Sequence, residues 1–317
     1  MTEDIKVSIC SLAYNHEKYI RQTLEGFVGQ KTDFRFEVLV HDDASTDGTA
    51  DIIREYAEKY PEIIKPVYQI ENQYSKDVEI TTTFLFPRAR GKYIAFCECD
   101  DYWCDPYKLQ KQVVFLENNP EYSGSVHNVL IVDQNDVPLD LKLYQSPTAD
   151  ITTIDGYLNF PHTSSFVFKN PLMDKTAEGR RLASLIIDRD RSYALYMLKT
   201  GKVRYFNEIM SHYRFVTNHG DSYSARKNQK NITEERLKVE LGLYNQIAGY
   251  GLDVDFYKHY FRNTCAYSLM FFLRHPSKKN FMLHCEALRA FPYPAPKFFK
   301  AMFSYVFDKI KAKLGKA

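Results

Sequence analysis

The sequence lacks long hydrophobic runs and has few cysteines. No apolar stretch reaches the ~18 residues of a membrane-spanning helix, so we expect no transmembrane segment. Cysteine accounts for 6 of the 317 residues, scattered through apparent strands and helices. Such spacing favours reduced thiols over a disulfide framework. Because the acidic N-terminus leads straight into an apolar segment, we expect no secretion leader and a cytoplasmic location.

A strong charge of one sign and glycine-rich phosphate motifs are also missing. The 42 basic and 40 acidic residues leave a formal net charge of +2, which favours no nucleic-acid partner. Neither G-x-G-x-x-G nor a Walker A motif is present, so dinucleotide-binding dehydrogenases are disfavoured. Cys97, Cys99 and Cys104 have no second Cys or His pair at ligand spacing, which argues against zinc. Without a glycine-rich loop to hold them, ligand phosphates would need a metal ion.

An acidic cluster directly follows an apolar segment. Residues 91–96 are typical of a buried strand, and Glu98, Asp100 and Asp101 come next. If the strand continued, Glu98 and Asp100 would lie on one face. Buried like charges repel, so such a cluster needs a hard cation with oxygen ligands, such as Mn²⁺ or Mg²⁺. A solvated acidic turn is the alternative, but the apolar strand before it and the aromatic residues after it favour burial.

Apolar segments alternate with helical patterns through the first part of the chain. The pattern predicts strands at residues 6–12, 36–41, 63–70, 92–97, 123–132, 203–206 and 209–215, and a helix at 81–90. This alternation predicts an α/β fold with a mostly parallel central sheet flanked by helices on both faces. From residue 228 the pattern is helical. We therefore predict a domain at 1–227 and a helical C-terminal region at 228–317.

Polar residues stand where three of the predicted strands end. Tyr14 follows the first strand, Asp42 and Asp43 end the second, and the acidic cluster follows the fourth. The carboxyl ends of parallel strands meet at one edge of a sheet, where ligands bind near a switch in strand order. The three polar groups are therefore predicted to form one crevice.

Several stretches together form a family signature. They are residues 7–15, 42–49 and 90–103, continuing through 105–112 and 190–214. This combination resembles bacterial glycosyltransferase family 2. The resemblance implies the GT-A nucleotide-sugar fold and a reaction that inverts the anomeric centre. The sequence departs from many relatives at Glu98, where they have Asp.

The resemblance also implies which residues bind the donor. It places the donor's base near Tyr14, whose ring can stack on it, and near Asp43, which can accept its ring N–H. Asp100, with Asp101 or Glu98, would hold Mn²⁺ or Mg²⁺ bridging the diphosphate. Further substrate contacts are expected at Asp42, Asp101 and Trp103. Tyr14 as a buried aromatic, and the Asp42–Asp43 pair as loop caps, are the alternatives.

An inverting transfer needs a base to accept the proton of the acceptor hydroxyl. The resemblance assigns this role to Asp190, in preference to Asp188. The alternative for Asp190 is that an acid at a helix start interacts with the helix dipole. His219 is expected in a polar loop as a phosphate contact or third metal ligand, with a plain surface histidine as the alternative. Ser164 is expected in an acceptor-side loop.

The C-terminal region has a basic amphipathic pattern. Its apolar residues are at helical spacing: Phe298, Phe299, Met302, Phe303, Val306, Phe307, Ile310 and Leu314. Lysines stand among them at 297, 300, 309, 311, 313 and 316. A basic amphipathic helix binds anionic membrane surfaces, which would suit a lipid-linked acceptor and a peripheral location on the cytoplasmic membrane. The alternative is a helix that packs on its own protein.

The resulting hypothesis is a metal-dependent inverting glycosyltransferase. It would move a sugar from a nucleotide-diphosphate donor, most simply a UDP-sugar, to a hydroxyl of a glycan or lipid-linked acceptor. The resemblance connects this reaction with surface polysaccharide synthesis. A sugar-phosphate nucleotidyltransferase is one alternative, although the glycine-rich N-terminal loop of that class is replaced here by residues 13–16. A catalytically silent nucleotide-sugar-binding protein is the other.

Overall fold

The computed structural model divides the chain into two compact units, Met1–Asn228 and Gln229–Ala317. It describes residues 4–141, 149–152, 160–186, 190–216, 249–251, 268–269, 271–272 and 275–289. The first unit holds the central sheet and the site described below. In the second unit, one helix (Lys278–Arg289) buries Asn280, His284 and Ala287. The predicted amphipathic helix at 296–314 lies outside the described residues.

The first half of the sheet is parallel. Its elements are β1 (Val7–Ala13), α1 (Ile20–Val28), β2 (Phe36–Asp42), α2 (Thr49–Lys59), β3 (Ile64–Tyr68) and β4 (Tyr93–Phe96). β1 pairs in parallel with both β2 and β4, and β2 pairs in parallel with β3. Every residue of β2 and β4 is buried, as expected for apolar strands covered on both faces.

The second half of the sheet mixes strand directions. Its elements are β5 (Tyr102–Trp103), α3 (Lys108–Asn118), β6 (Tyr122–Val132), β7 (Val167–Lys169), α4 (Ala177–Ala183), α5 (Asp190–Thr200) and β8 (Lys202–Arg214). The strand order across the described sheet is β3-β2-β1-β4-β7-β6-β8-β5. β7 is antiparallel to both β4 and β6, whereas β6 and β8 are parallel. The acidic cluster therefore follows the strand at which the parallel half meets the mixed half.

The core confirms the prediction of a sheet flanked by helices. One face of the sheet is covered by apolar residues of three helices: Ile20, Leu24 and Phe27 of α1, Ile53 and Tyr56 of α2, and Leu109, Val113 and Leu116 of α3. On the other face, Phe96 and Phe168 pack against Tyr193 of α5, with ring centroids 4.5 and 5.9 Å away. Burial of each such side chain contributes about 1.5–3 kcal/mol, so both layers hold the sheet in place.

Two predicted elements differ in the structure. The helix expected at 81–90 is a π turn (Thr81–Leu85) followed by a 3₁₀ turn (Phe86–Arg88). Pro87 has no backbone N–H to donate, which prevents a regular helix there. The two short strands expected at 203–206 and 209–215 form one strand, β8, whose pairing with β6 shifts register at His127 and Asn128. The bulge allows one continuous strand to cross this region.

Candidate active site

The loops that follow β1 and β2 are held together by hydrogen bonds. The Asn15 amide donates to Ser45 Oγ at 3.0 Å, and the Asn15 side-chain oxygen accepts from the Thr46 amide at 2.9 Å. The His16 amide donates to Thr49 Oγ1 at 2.8 Å. Asn15 has a φ of 56°, a left-handed conformation that asparagine tolerates better than most residues. The two strand ends therefore form one wall.

The acidic turn after β4 lies beside this wall. The Cys99 amide donates to the Leu12 carbonyl at 3.0 Å, which fixes the turn to the end of β1. His16 Nε2 lies 4.0 Å from Asp100 Oδ2, with both side chains mostly buried. The structure thus brings the polar groups that follow three strands to one edge of the sheet.

Asp101 is fully buried, and only part of its carboxylate is used. Oδ1 accepts a hydrogen bond from the backbone N–H of Arg214 at 2.8 Å. Oδ2 lies 3.5 Å from His162 Nδ1 and accepts no hydrogen bond from the described residues. Burial, and then the charges of Asp100 and Glu98, raise the pKa of Asp101 well above its ordinary value. A cation beside Oδ2 would relieve this cost.

Asp100 supplies a second oxygen of the same kind. Its side chain is largely buried, and its Oδ1 has no hydrogen-bond partner within the described part of the chain. Among these residues there is no group of three or more His, Cys, Asp or Glu arranged to hold a metal. Mg²⁺ is commonly bound by one or two carboxylates together with substrate phosphates. Asp100 and Asp101 fit that donor set, with the remaining positions left to a ligand.

Glu98 does not belong to this buried pair. β4 ends at Phe96, so the alternation that was expected to place Glu98 and Asp100 on one face does not extend to them. Glu98 is exposed, while Asp100 and Asp101 are buried. The prediction that the strand would give Glu98 and Asp100 a common face is corrected for this reason.

The two acids at the end of β2 have different surroundings. The Asp43 carboxylate accepts from the backbone N–H groups of Gln73 at 2.7 Å and Tyr74 at 3.0 Å, so it caps a loop. Asp42 Oδ2 accepts from the Ser45 amide at 3.3 Å, while Oδ1 is buried and has no partner among the described residues. Burial raises the pKa of Asp42. Of the two acids, Asp42 therefore has a carboxylate oxygen, Oδ1, without a hydrogen bond from the described residues. Tyr14 directly follows β1 and is half-buried.

Trp103 and Ser164 support the acidic turn from inside the protein. Trp103 is 4% exposed, and its indole N–H donates to the Ser164 carbonyl at 3.0 Å. Its ring packs edge-on against Phe27 at 4.9 Å, with Lys108 Nζ 4.1 Å from the ring centroid. The hydroxyl of Ser164 is 2.9 Å from that of Ser211. These contacts use their polar groups within the protein, and a direct contact of Trp103 or Ser164 with the substrate stays a prediction.

For the predicted base, Asp190, the structure describes the backbone position only. α5 begins at Asp190, as the sequence pattern predicts, but the side chain of Asp190 is outside the described part of the structure. Asp188 and His219 also lie outside the described residues. Their roles stay predictions.

Arg214 and His162 complete the site; the sequence placed His162 in the expected acceptor-side loop at 162–165 and assigned Arg214 no role. Arg214, at the end of β8, is 2% exposed and contacts both Asp100 and Asp101. His162 stacks on Tyr213, with ring centroids 4.0 Å apart. A signal for Arg214 was present, since an arginine at the end of a predicted strand needs an acidic or carbonyl partner if it is buried.

Comparison with known proteins gives a family match over a little more than half of the chain. The model of glycosyl transferase family 2 matches residues 8–177. A protein of unassigned function from Mycobacterium tuberculosis is 40% identical over 165 residues, which is 51% of this chain and 46% of that protein. This chain thus spans about half the length of that relative.

Two further relatives match over more of the chain. TuaG of Bacillus subtilis, whose name assigns it provisionally to teichuronic acid biosynthesis, is 31% identical over 67% of this chain and 80% of its own. WfaP of Escherichia coli, named as a UDP-Glc:α-D-GlcNAc-diphosphoundecaprenol β-1,3-glucosyltransferase, is 28% identical over 75% of this chain and 87% of its own.

Solved structures share the fold. S. aureus TarS in complex with UDP-GlcNAc superposes with a TM-score of 0.61 at 18% identity, covering 94% of this chain and 82% of TarS. The Pyrobaculum calidifontis mannosyltransferase in complex with GDP-Man and Mn²⁺ gives a TM-score of 0.51 at 15% identity, covering 100% of this chain and 89% of that one. With the family match, these likenesses confirm the GT-A fold, and the chain belongs to glycosyl transferase family 2.

Proposed function

We propose that the chain transfers a sugar from a UDP-sugar to a hydroxyl of a glycan or lipid-linked acceptor, with inversion. The observation that carries this proposal is the pair of buried oxygens, Asp100 Oδ1 and Asp101 Oδ2, without hydrogen bonds from the described residues. They lie at the edge where the β1 and β2 loops meet. A donor diphosphate there needs positive charge, and two carboxylates can hold it through a divalent ion.

Asp100 and Asp101 would hold Mn²⁺ or Mg²⁺, and Glu98 stays outside the buried pair as an exposed electrostatic neighbour. When bound, the ion neutralises charge on the diphosphate leaving group. On the donor's nucleoside, Asp42 Oδ1 is the oxygen available to accept the ring N–H of uracil. Tyr14 supplies a ring for stacking.

Asp190 is the proposed base. An unperturbed aspartate has a pKa of ~3.9 and is ionised at neutral pH, so it can accept the acceptor's hydroxyl proton. The acceptor oxygen forms a bond to the anomeric carbon while the bond from that carbon to the diphosphate oxygen breaks. Attack from the side opposite the leaving group inverts the centre. His219 is proposed to contact the diphosphate.

The acceptor is proposed to be part of a surface polysaccharide, carried on a lipid. Support comes from WfaP, named for a diphosphoundecaprenol acceptor, and from the provisional name of TuaG. The basic amphipathic segment at 296–314 would bring the chain to the cytoplasmic membrane surface. Among the described residues, no helix combines the length and apolar character needed to cross a membrane.

A thermal-shift panel tests donor choice. UDP-, GDP- and dTDP-sugars are compared with and without Mn²⁺ on the intact chain. A ligand that binds the folded state at 100 times its Kd adds about 2.7 kcal/mol of stability. We expect the largest rise in Tm with a UDP-sugar plus Mn²⁺. A rise with GDP-sugars alone would contradict the choice of base.

Hydrolysis of the bound donor tests the enzyme assignment. Without acceptor, the wild-type chain is expected to release UDP slowly in the presence of Mn²⁺, and Asp100→Asn is expected to lose this activity. Asp51→Asn is the matched control, because Asp51 is an exposed residue of α2 paired with Arg54. Binding without hydrolysis or transfer would favour a silent binding protein, and equal rates in Asp100→Asn would exclude the proposed metal site.

A further inference from the structure

Arg214 joins three segments that are distant in the sequence. One guanidinium nitrogen, Nη1, donates to the backbone carbonyl of Asp100. The other, Nη2, donates to Gln22 Oε1 at 2.7 Å and to Asp136 Oδ1 at 2.6 Å. Gln22 lies on α1, and Asp136 lies in the turn after β6. The acidic turn is therefore tied to two other parts of the first unit through one side chain.

The guanidinium is also enclosed by aromatic rings. Its central carbon lies 4.4 Å from the ring centroid of Tyr19 and 5.2 Å from that of Tyr102. The Arg214 side chain is 1% exposed, whereas that of Asp136 is 40% exposed. Stacking and a planar fork of donors suit arginine and not lysine, since an ammonium offers neither. Hydrogen bonds and two aromatic rings thus fix the position of the Arg214 guanidinium.

These contacts determine which oxygens of the acidic pair remain available. The Arg214 backbone N–H occupies Asp101 Oδ1, and its guanidinium holds the carbonyl of Asp100. The oxygens left without hydrogen bonds from described residues are Asp101 Oδ2 and Asp100 Oδ1. Arg214 therefore anchors the acidic turn through Asp101 Oδ1 and the Asp100 carbonyl, and leaves the other two carboxylate oxygens to a metal.

We propose that Arg214 is the positioning residue of the cation site, held in place by Asp136. The inference rests on the proposed function, because it concerns how Asp100 and Asp101 are presented to a divalent ion. Arg214 itself touches neither the ion nor the diphosphate. Its loss acts through the two aspartates, so metal affinity falls while nucleotide binding without metal does not change.

The test measures Mn²⁺ binding directly. Intact chain with saturating UDP is titrated with Mn²⁺, and free Mn²⁺ is followed by electron paramagnetic resonance. Loss of a group that orients metal ligands typically weakens metal binding ~10–100-fold, which is the effect expected for Arg214→Lys. UDP affinity without metal should equal that of wild type. Arg54→Lys, at an exposed pair on α2, is the control and should change neither value.

A second variant keeps the test decisive if Arg214→Lys does not fold. Asp136→Asn keeps the shape and the acceptor oxygen but removes the charge that holds Arg214, at a partly exposed position. We expect it to weaken Mn²⁺ binding several-fold. Wild-type Mn²⁺ affinity in the folded Arg214→Lys chain, or in Asp136→Asn when Arg214→Lys is unfolded, overturns the inference. Weakened UDP binding without metal in Arg214→Lys also overturns it, since that marks a direct contact. A wild-type chain that binds no Mn²⁺ with UDP overturns the proposed metal site and the inference together.

Discussion

At the scale of single residues, Asp101 combines a proposed role in metal binding with a cost in stability. Its carboxylate is fully buried beside Asp100, and its pKa is raised well above 3.8. The folded state therefore holds the proton more tightly than the unfolded chain does. Stability from this group is lost as pH rises from about 4 through the raised pKa. A neutral side chain of the same shape avoids the loss.

Asp101→Asn is accordingly expected to raise Tm at pH 7.5 in the absence of metal and donor. The asparagine oxygen can still accept from the Arg214 amide, as Oδ1 does now. The gain should shrink as pH falls towards 4 and below, where the carboxyl of the unfolded chain also becomes protonated. Transfer activity should fall by at least ~100-fold, the range found when a group that stabilises transition-state charge is removed. Thermal melts across pH and an activity assay check both parts, and a lower Tm at pH 7.5 would contradict the argument.

His41 gives the opposite dependence on pH. It is fully buried at the end of β2, beside Phe84 and 3.1 Å from Gln69 Nε2, and burial lowers its pKa from 6.5 to about 4. Between these values the unfolded chain binds a proton that the folded chain does not. Stability from this group is complete above pH 6.5 and is lost as pH falls to 4, by about 3 kcal/mol if the whole shift is realised.

His41→Gln should therefore flatten the fall in stability between pH 6.5 and 4. Urea denaturation at several pH values, with the wild-type chain in parallel, measures the difference in slope. His275→Gln serves as the control, because His275 is an exposed residue of the second unit. Parallel slopes for wild type and His41→Gln would show that His41 does not contribute.

At the scale of elements, Gly91 controls how closely β4 approaches β1. A Cβ at this position would lie 2.6 Å from the carbonyl carbon of Val7 and 2.8 Å from the carbonyl oxygen of Tyr93. Both are backbone atoms of paired strands and cannot move independently. Gly91→Ala is expected to cost about 3 kcal/mol or more, since overpacking in a well-packed core is strongly destabilising. The acidic turn that follows β4 would be displaced with it.

Gly48→Ala is the matched comparison for that prediction. A Cβ there meets the carboxylate end of Glu17, which is a flexible side chain on an exposed loop. The free energy of unfolding in urea should change little in Gly48→Ala and fall sharply in Gly91→Ala. Similar losses in the two variants would mean that the β1–β4 spacing is not the cause.

The strands and their polar ends were predictable because both signals are local. An apolar run followed by acids or amides predicts a strand end, and Asp42, Asp43 and Asp100 were found in this way. The contacts of Arg214 were not predictable, since its partner Asp101 is 113 positions away along the chain. The accessibility of Glu98 depended on where β4 ends, and a shift of one or two residues reverses which side chains are buried.

At the scale of the whole molecule, the two halves of the sheet contribute different residues to the proposed reaction. The residues proposed for the donor follow the parallel strands β1, β2 and β4. In the other half, Arg214 ends β8, and His162 caps the 3₁₀ turn that precedes β7. The antiparallel pairing of β7 with β4 brings these groups together. Sequence periodicity predicted the parallel half and left the pairing of the second half open, because strand direction there depends on long connections.

The basic pattern of the C-terminal region predicts that the intact chain binds anionic membranes. If residues 296–314 bind a membrane surface, the chain should float with vesicles rich in anionic lipid and less with neutral ones. Replacing Lys309, Lys311 and Lys313 by glutamine should lower recovery, because each basic residue near such a surface is worth about 1 kcal/mol. Equal recovery for the two chains would favour a helix that packs on its own protein.

The reach of Arg214 has a consequence for exchanging parts between related enzymes. The family match ends at residue 177, yet the side chain that steadies Asp100 and Asp101 arrives from Arg214, at the end of β8. A hybrid joined at 177 would combine Asp100 and Asp101 of one parent with Arg214 of the other. Hybrids meant to change acceptor choice should instead be joined after residue 216, so that Arg214 and the two aspartates come from the same parent.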